Sequence, residues 1–572
     1  MPRCASAATK RDLRRTHSRS LRARRNFHNG SRRHQYGRAR ARIIAAMSPS
    51  LSRPRTCRAL LLLTAVVLYV WRLSDTPVGL HEAEVLFALH ARAIAQSLHD
   101  TNGRFLPLYF QMPQIGENVW FHPALVYFTA IFLKLLPLSE WTVRLPTVCI
   151  GIVNIILIYK IALHVFGSEG YGLVAGALMA LTPAHFIHSR LAMDYLYPVP
   201  FLLIWLWCLV RFEHESNPRL IFAACLALGV GLYSYIGALL LMPVYGAMTV
   251  VFLLHKYRRM HQTVLWAAAG FFLPLALLIF WVPRYPHFFE ETIVRYGVPL
   301  NGKLHALRGF FTSSNLEQDL ALYWNFHSPV YLFFRGSSNW VDSTRRAGVF
   351  LVPMGTLLVA GVADFVIGPR TRISWLVFAG VLTAPLGAVF VGESLAVQRE
   401  LELLPFAVLL AVFGVRRLAT SANRASRWLC YAMLALMPLQ FADFCSDYFT
   451  AYRLNSIAWF GPKLEGALTC ILGEERERGS APTVYLSRAI PYGRAHWDFQ
   501  LAKSNREDLL AQTFLFDAQT TIASIPPGSI VIEPLADGVP LDHLVNSLGL
   551  ERIGVLTKPD GGPTFWLLRR TG

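Results

Sequence analysis

Long apolar runs constrain this chain more than any other feature of its sequence. Of its 572 residues, 54% are hydrophobic and only 16% are charged, whereas a soluble protein of this length carries more charge and shorter apolar stretches. Many runs reach the roughly 17–25 residues that are needed to cross a hydrocarbon core. The sequence therefore predicts a mainly α-helical, polytopic membrane protein. The expected spans, about eleven in number, cover residues 58–73, 142–162, 170–188, 197–212, 219–235, 237–255, 264–283, 347–367, 374–391, 402–416 and 427–443.

A basic N-terminal tail accounts for most of the formal net charge of +20. Residues 1–57 lack aromatic interleaving and hydrophobic periodicity, which predicts disorder. The tail is either a solvated cytoplasmic segment or, the favoured interpretation, the product of a start assigned too early, since Met47 opens a more ordinary beginning. Binding to acidic lipids or nucleic acid is a minor alternative, and no nucleic-acid partner is expected.

The distribution of basic residues predicts how the chain crosses the membrane. The N-terminus and the loops at 255–259, 369–372 and 416–427 are basic and should face the cytoplasm. Segment 122–138 is interpreted as an interfacial or re-entrant helix, because a crossing there would place the later basic loops outside. Residues 74–141 and 284–346 then form external loops, and the C-terminal tail lies outside.

The sequence divides into three predicted regions. The basic tail (1–57) is followed by a transmembrane domain (58–443) and by a small extracytoplasmic α/β domain (444–572), where the composition becomes that of a soluble protein. Residues 483–487, 529–533 and 563–568 have the pattern of strands. The last region contains no glycine-rich phosphate loop and no nucleophile elbow, so neither a nucleotide-binding nor a hydrolase function is indicated.

Two acidic sites lie just outside membrane spans. Glu82 follows the first apolar run, and Asp194 follows the run that ends near Ile187. A carboxylate at the edge of a bilayer is costly unless it has a partner or a function, so both are candidates for catalysis. In the simpler alternative, Glu82 and Glu84 stabilise the start of an amphipathic surface helix over 82–98, and Asp194 caps a helix.

A transfer enzyme that works outside the cytoplasm needs a donor that is already in the membrane, such as a sugar on a polyprenyl phosphate. Such a donor requires a carboxylate base for the acceptor hydroxyl, a cation for the departing phosphate and an apolar groove for the lipid tail. Glu82 is the expected base, with Asp194 as a second base or an acceptor-positioning group. Arg399, at the external end of a span, suits the phosphate, and Arg190 could serve either role.

Both arginines also have structural interpretations. Arg399 could be an interfacial arginine that pairs with Glu400 or Glu402, because arginine extends its charged group to the membrane surface. Arg190 could form a salt bridge to Asp194. A buried bridge of that kind would still orient the acid, so the two interpretations of Arg190 overlap.

Six sequence blocks follow one another along the chain. They are Leu80-His81-Glu82-Ala83, His122-Pro123-Ala124-Leu125-Val126-Tyr127, Glu140-Trp141-Thr142-Val143-Arg144-Leu145-Pro146 and residues 181–194, 231–235 and 328–336. Their ordered combination resembles the C-type (GT-C) glycosyltransferases of family 39, which include protein O-mannosyltransferases and the lipid A aminoarabinose and galacturonosyl transferases. The resemblance covers most of residues 58–443. It implies the GT-C fold, a polyprenyl-phosphate-linked sugar as donor, a lipid, glycan or protein acceptor, and a bacterial inner membrane with a cytoplasmic N-terminus and a periplasmic C-terminus.

The resemblance also bears on individual residues. It implies that Glu84, His122 and Arg144 position the acceptor or the external loops. One departure stands at His81, where the family usually has an aspartate. His81 takes over part of the proton handling, which the chemistry of histidine allows near neutral pH, or leaves that work to Glu82, or marks an inactive member. No metal site is expected from the residue spacing, although the carboxylates could hold Mg²⁺ or Mn²⁺.

Two other classes of function fit a polytopic chain. One is a transporter or lipid flippase, and the other is an inactive membrane scaffold, which the departure at His81 keeps open. Transporters usually contain internal repeats, broken helices in matching halves and polar groups at the membrane midplane. This sequence shows no such repeat, and its notable charges cluster at the ends of spans, which favours the enzyme.

Overall fold

The computed structural model describes eight stretches of the chain. The predictions for most of the basic tail, including the alternative start at Met47, lie outside the described residues. The described ranges are 54–114, 117–256, 261–293, 313–462, 464–517, 524–535, 549–557 and 561–571.

Apolar helices build the membrane region, as the apolar runs predict. The first half contains α1 (Pro54–Val70), α2 (Glu82–Ser97), α3 (Pro123–Leu135), α4 (Glu140–Phe166), α5 (Glu169–Ala180), α6 (Pro183–His188), α7 (Pro198–Glu215), α8 (Pro218–Gly231), α9 (Ala238–Lys256), α10 (His261–Phe272), α11 (Ala276–Trp281) and α12 (Phe288–Ile293). The second half contains α13 (Ser313–Asn325), α14 (Val352–Ile367), α15 (Arg372–Thr383), α16 (Leu386–Val391), α17 (Leu403–Ala419), α18 (Arg424–Phe449) and α19 (Ala451–Asn455).

Helix length and composition mark the segments that can cross a bilayer. Among the described residues, four qualify: Glu140–Phe166, Asp194–Glu215, Arg372–Val391 and Arg424–Asn455. Shorter apolar helices, such as α8 and α14, pack around them. The predicted count of about eleven spans and the predicted sidedness stay predictions.

Prolines interrupt three of the predicted spans. The segment predicted at 170–188 is divided into α5 and α6 before Pro183, the one at 264–283 is divided around Pro274, and the one at 374–391 is divided at Pro385. Proline has no backbone N–H to donate and its ring clashes with the preceding turn. Each of these segments therefore consists of two shorter helices, and Arg372–Val391 still qualifies as one membrane-crossing segment.

Residues 74–141, the predicted first external loop, contain the predicted surface helix and one element that was not predicted. Helix α2 begins at Glu82, as expected, and α3 has only 13 residues, about 20 Å at 1.5 Å per residue, which fits the predicted interfacial helix. Between them, the antiparallel strands β1 (Phe110–Gln114) and β2 (Glu117–Phe121) form a hairpin. Pro113 interrupts the sequence signal for the first strand.

The C-terminal region contains a five-stranded mixed sheet. Strands β3 (Val484–Ser487), β4 (Thr513–Phe516), β5 (Ile530–Pro534), β6 (Leu550–Thr557) and β7 (Pro563–Arg570) take the order β4-β3-β5-β7-β6. Strands β4, β3 and β5 are parallel, and β5, β7 and β6 are antiparallel. Helix α20 (Glu465–Arg478) and helix α21 (Gly493–Lys503) accompany the sheet. The predicted strands correspond to β3, β5 and β7, whereas β4 and β6 were missed.

The C-terminal region is held against residues 74–141. Helix α21 packs on α2, and the backbone N–H of Gly461 donates to the carbonyl of Leu80 at 2.8 Å. Two ion pairs also join the C-terminal region to residues 74–141: Lys503 Nζ to Glu140 Oε1 at 2.9 Å and Glu507 to Arg92. The C-terminal region therefore fixes the start of α2, which carries the first acidic site.

Candidate active site

One cleft brings together five of the predicted site residues. His81, Glu82, His122, Asp194 and Arg399 all line it, and it encloses about 690 Å³ of space that is partly open to solvent. The remaining lining residues are mostly aromatic: Ala83, Phe87, Trp120, Phe121, Met193, Tyr195, Tyr235, Ile236 and Tyr492.

The polar residues of the cleft come from segments where helices begin. Glu82 is the first residue of α2, and His122 is the residue that caps α3. Asp194 opens a short 3₁₀ turn (Asp194–Leu196) before α7, and Arg399 closes another (Val397–Arg399) before α17. These two turns pack against each other. An ionised carboxylate is favoured at the start of a helix.

His81 orients Glu82. The Nδ1 atom of His81 accepts a hydrogen bond from the backbone N–H of Ala83 at 3.2 Å, which caps α2. This bond assigns the ring proton to Nε2, and Nε2 lies 3.3 Å from Oε2 of Glu82. The Glu82 side chain is 37% exposed, so it can reach a bound substrate. His81 thus caps the helix and places Nε2 within ion-pair distance of the candidate base.

Asp194 lies deeper in the cleft. It is only 5% exposed, and its backbone carbonyl accepts from the N–H of Tyr197 at 3.1 Å. The residue that caps α7 is Tyr197, and it makes no side-chain capping bond. The cap of α7 is thus three residues after Asp194.

Arg399 lies at the cleft but has a different partner from either predicted one. Its Nε donates to the carboxylate of Glu393, and its Nη1 donates to the hydroxyl of Tyr235 at 3.2 Å. Glu400 is instead buried and accepts from the hydroxyl of Tyr331 at 2.8 Å. Because the Glu393 side chain is 39% exposed, its ion pair with Arg399 is weak, and an anionic ligand can compete for the guanidinium.

Arg190 does not line the cleft, which corrects the prediction that it binds phosphate. Its guanidinium is buried and donates to the carbonyls of Tyr69 at 2.6 Å and Thr76 at 2.9 Å, with longer bonds to Leu68 and Arg72. Aromatic rings of Phe186, Tyr448 and Phe449 surround it. The N–H groups of Arg190 thus donate to backbone carbonyls at the end of α1 and in the segment that follows it, which is a structural role.

Glu84 and Arg144 form a buried ion pair, and neither residue lines the cleft. Both side chains are 0% exposed, and two bonds of 2.9 Å join them. Burial by itself raises the pKa of Glu84, but the charge and hydrogen bonds of Arg144 hold it below its usual value. Arg144 also donates to the carbonyls of Leu73, Pro77 and Gly79. Contact with an acceptor is excluded by this burial, which corrects that part of the prediction.

The Glu84 carboxylate joins the two acidic sites. Its Oε2 accepts from the backbone N–H of His81 at 2.9 Å, and its Oε1 accepts from the backbone N–H of Ala192 at 2.8 Å. His81 is adjacent to Glu82, and Ala192 is two residues before Asp194. One buried carboxylate therefore sets the distance between the loops that carry the candidate acids. The loop-positioning role that the resemblance implies for Glu84 and Arg144 stays a prediction, and these contacts agree with it.

His122 contributes a neutral hydrogen-bonding group. It is 2% exposed and packs edge-on against Tyr109. Burial lowers its pKa to about 3, so the ring carries no charge at neutral pH. Its Nε2 makes no hydrogen bond within the described part of the chain. His122 can therefore bond to a substrate hydroxyl but cannot act as a cation.

Buried neutral histidines predict a pH-dependent stability. Burial lowers the pKa of His122 to about 3 and that of His90 and of His496 to about 4, against about 6.5 in an unfolded chain. The unfolded state then binds more protons between pH 4 and 6.5, so stability is lost as the pH falls through this window. We expect the melting temperature to fall from pH 7 to pH 4.5. A His90→Gln variant should show a shallower slope than an exposed His99→Gln control, and equal slopes would contradict the assignment.

Sequence reasoning missed the aromatic wall of the cleft. Trp120 and Phe121 come from the unpredicted hairpin, and Tyr195 and Tyr235 come from loops beside α7 and α8. Tyr492 comes from the C-terminal region, far away along the chain, and no sequence signal connected it with the acids. Within the described ranges, no three His, Cys, Asp or Glu side chains form a group that could hold a metal ion.

Part of the chain matches the model of a known protein family. Residues 122–282 match the family model described as dolichyl-phosphate-mannose-protein mannosyltransferase. No curated protein sequence matches the chain significantly.

The chain is also similar to solved structures of ArnT from Cupriavidus metallidurans. The apo form is 14% identical with a TM-score of 0.50, over 89% of this chain and 97% of ArnT. The form bound to undecaprenyl phosphate is 13% identical with a TM-score of 0.51, over the same 89% and 97%.

The family model and the ArnT fold agree with the predicted enzyme class, a glycosyltransferase. They confirm the predicted resemblance and the predicted fold class, in which a mostly helical membrane protein carries a C-terminal β-sheet region. The chain therefore has the fold of the C-type membrane glycosyltransferases.

Proposed function

We propose that this protein transfers a sugar from a polyprenyl-phosphate donor to an acceptor outside the cytoplasm. The observation that carries the proposal is the cleft in which two carboxylates, Glu82 and Asp194, meet the guanidinium of Arg399. These are the groups that such a transfer requires: a base for the acceptor and a cation for the leaving phosphate. The match to the mannosyltransferase family model and the likeness to an ArnT structure with bound undecaprenyl phosphate support the choice of donor.

Arg399 holds the donor phosphate in this proposal. The phosphate competes with Glu393 for the guanidinium, and Tyr235 keeps Nη1 in place. As the bond between the sugar and the phosphate breaks, negative charge grows on the departing lipid phosphate. A fixed guanidinium stabilises that charge because it needs no reorganisation during the reaction.

Glu82 removes the proton from the acceptor hydroxyl. The acceptor oxygen forms the new bond to the sugar, the lipid phosphate leaves, and the proton goes to the Glu82 carboxylate. The Nε2 atom of His81 lies 3.3 Å from Oε2 of Glu82, and Asp194 positions the acceptor or serves as a second base. His122 bonds to a hydroxyl of the sugar or the acceptor with its neutral ring.

The finer assignments belong to the same proposal. The acceptor is a lipid, a glycan or a protein on the periplasmic side of a bacterial inner membrane, and membrane lipids surround the helices. The sugar is set by the walls of the cleft. A divalent cation, Mg²⁺ or Mn²⁺, is an additional candidate because Glu82 and Asp194 are oxygen ligands.

The purified full-length protein tests this function directly. It is reconstituted in nanodiscs and given radiolabelled undecaprenyl-phosphate sugars with envelope lipids, glycans or periplasmic protein as acceptor. Release of undecaprenyl phosphate coupled to labelling of the acceptor supports the enzyme, whereas binding without turnover favours a transporter, flippase or scaffold. Parallel reactions with EDTA and with added Mg²⁺ or Mn²⁺ measure the metal requirement.

Replacing Arg399 by alanine should chiefly weaken use of the donor. A charge-assisted hydrogen bond contributes about 1.5–3 kcal/mol, so the KM for the lipid donor should rise roughly 10- to 100-fold. Arg346→Ala is the control, because Arg346 is mostly exposed and pairs with Asp447 at 3.3 Å, outside the cleft. An unchanged donor KM in Arg399→Ala would move the phosphate site elsewhere.

A further inference from the structure

The C-terminal region contributes a side chain to the cleft. Tyr492 lines the cleft together with Glu82, Asp194 and Arg399. Among the described residues that do so, Tyr492 alone lies beyond residue 399. It directly precedes α21, the helix that packs on α2. The region after the membrane helices therefore forms part of the cleft wall.

Several contacts fix Tyr492 relative to the candidate base. Its ring packs on the apolar cluster of α2 and α3, which includes Leu86 and Phe87. The ion pair between Lys503 and Glu140 secures the far end of α21, and the pair between Arg92 and Glu507 secures α2. Tyr492 and Glu82 thus belong to one packed unit.

The backbone conformation at Tyr492 shows that its side chain is kept at a cost. Its φ and ψ are 51° and 21°, in the left-handed region, which glycine adopts freely and residues with a β-carbon avoid. Gly493 follows directly, so the chain has a glycine at hand but not at the strained position. A strained residue next to a candidate site motivates a functional hypothesis. Packing on the α2 cluster is the structural alternative.

A tyrosine suits the sugar part of the donor. The phenol offers a flat apolar face and one hydroxyl, and a sugar ring offers a face of C–H groups with hydroxyls at its edge. The phosphate is served by Arg399. Because the sugar is bonded directly to that phosphate, it must lie in the same cleft, within reach of the aromatic wall.

We propose that Tyr492 recognises the transferred sugar of the donor, by ring stacking and through its hydroxyl, while Arg399 holds the phosphate. The inference rests on the proposed function and deepens it, because it assigns sugar selectivity to a residue of the C-terminal region. Tyr492 is a specificity residue in this assignment, and Glu82 keeps the proton transfer.

Binding of two kinds of lipid separates the sugar from the phosphate. The affinity of the full-length protein in nanodiscs is measured for undecaprenyl phosphate and for undecaprenyl phosphate that carries mannose, galacturonic acid or 4-amino-4-deoxyarabinose. We expect Tyr492→Gly to weaken the tightest sugar-bearing lipid about tenfold and to leave bare undecaprenyl phosphate nearly unchanged. Tyr492→Phe, which keeps the ring, should give a smaller loss. Arg399→Ala should weaken both kinds of lipid.

Asn505→Gly is the matched control. Asn505 also has a positive φ, 54°, at the other end of α21, and it is exposed outside the cleft. Glycine at either position relieves the backbone, so only the loss of the Tyr492 side chain distinguishes the two variants.

Three outcomes would overturn the inference. They are equal losses for both kinds of lipid in Tyr492→Gly, unchanged affinities in that variant, and a wild-type protein that binds no sugar-bearing lipid more tightly than the bare one. Failure of the proposed function has a different signature, because the wild type would then release no undecaprenyl phosphate in the turnover assay, whichever of the lipids it binds.

Discussion

Replacing Glu82 by glutamine should lower the rate of sugar transfer by about 10²–10⁴-fold, the usual contribution of a general base. Glutamine has nearly the shape of glutamate but cannot take the acceptor proton. The half-exposed position of Glu82 means that membrane insertion and yield should stay normal. The measurement is the rate of undecaprenyl phosphate release under saturating donor.

Asp194→Asn and Glu215→Gln complete the test of the base. Asp194 lines the cleft, and its amide variant should also abolish transfer or, if it only positions the acceptor, raise the acceptor KM. Glu215 forms an exposed pair with Arg211 outside the cleft, so Glu215→Gln should retain turnover. Wild-type rates in both Glu82→Gln and Asp194→Asn would discard the catalytic assignment.

A substitution of His81 can separate its two roles, which are capping helix α2 and taking part in proton transfer. Asparagine at position 81 can still accept the N–H of Ala83 through its side chain, as asparagine commonly does at helix starts. It does not reproduce the imidazole Nε2–H beside Glu82. A normal fold with reduced turnover in His81→Asn would show that the imidazole orients the base.

Removing Arg144 should destabilise the protein more than any other single change at this site. Arg144→Ala would leave the carboxylate of Glu84 buried without its counter-charge, and breaking such a pair costs about 3–5 kcal/mol. Three carbonyls after α1 would also lose their donor. We expect a large fall in melting temperature and in yield, together with loss of transfer.

The pairing of Glu84 with Arg144 can be tested by a double-mutant cycle. Glu84→Gln removes the charge and weakens two backbone contacts, those to His81 and Ala192. The double variant Glu84→Gln/Arg144→Met leaves no unpaired buried charge, so it should be less destabilised than the sum of the single variants. Additive effects would show that the two side chains do not act as a unit. Arg346→Ala again serves as the exposed control.

The position of the cleft follows from the way the chain leaves the apolar bundle. The polar residues of the cleft lie where helices begin, and the Glu84 carboxylate draws two such segments together. Aromatic residues from the hairpin and Tyr492, which directly precedes α21, close the sides. The acids thus lie in a partly enclosed space, where electrostatic interactions are stronger than in open water.

The sequence by itself determined the properties that depend on neighbouring residues. Apolar runs predicted the helices of the membrane region, because a segment in lipid must satisfy its backbone hydrogen bonds internally, and a helix does so within the segment itself. The positions of Glu82 and Asp194 at the ends of those runs marked the candidate site, and strand patterns located β3, β5 and β7. Proline interruptions and the hairpin at Phe110–Phe121 were less visible, since short segments carry weak periodic signals.

Only the tertiary structure decided which charged groups meet. Arg190 and Arg399 both follow apolar segments in the sequence, yet Arg190 is used by backbone carbonyls while Arg399 reaches the cleft. Likewise, Glu84 is a buried support although Glu82, two residues earlier, faces the cleft. The energy of a charge depends on its partners and on its burial in three dimensions, and neither can be derived from spacing along the chain. Tyr492 reaches the acids for the same reason, through the packing of α21 on α2.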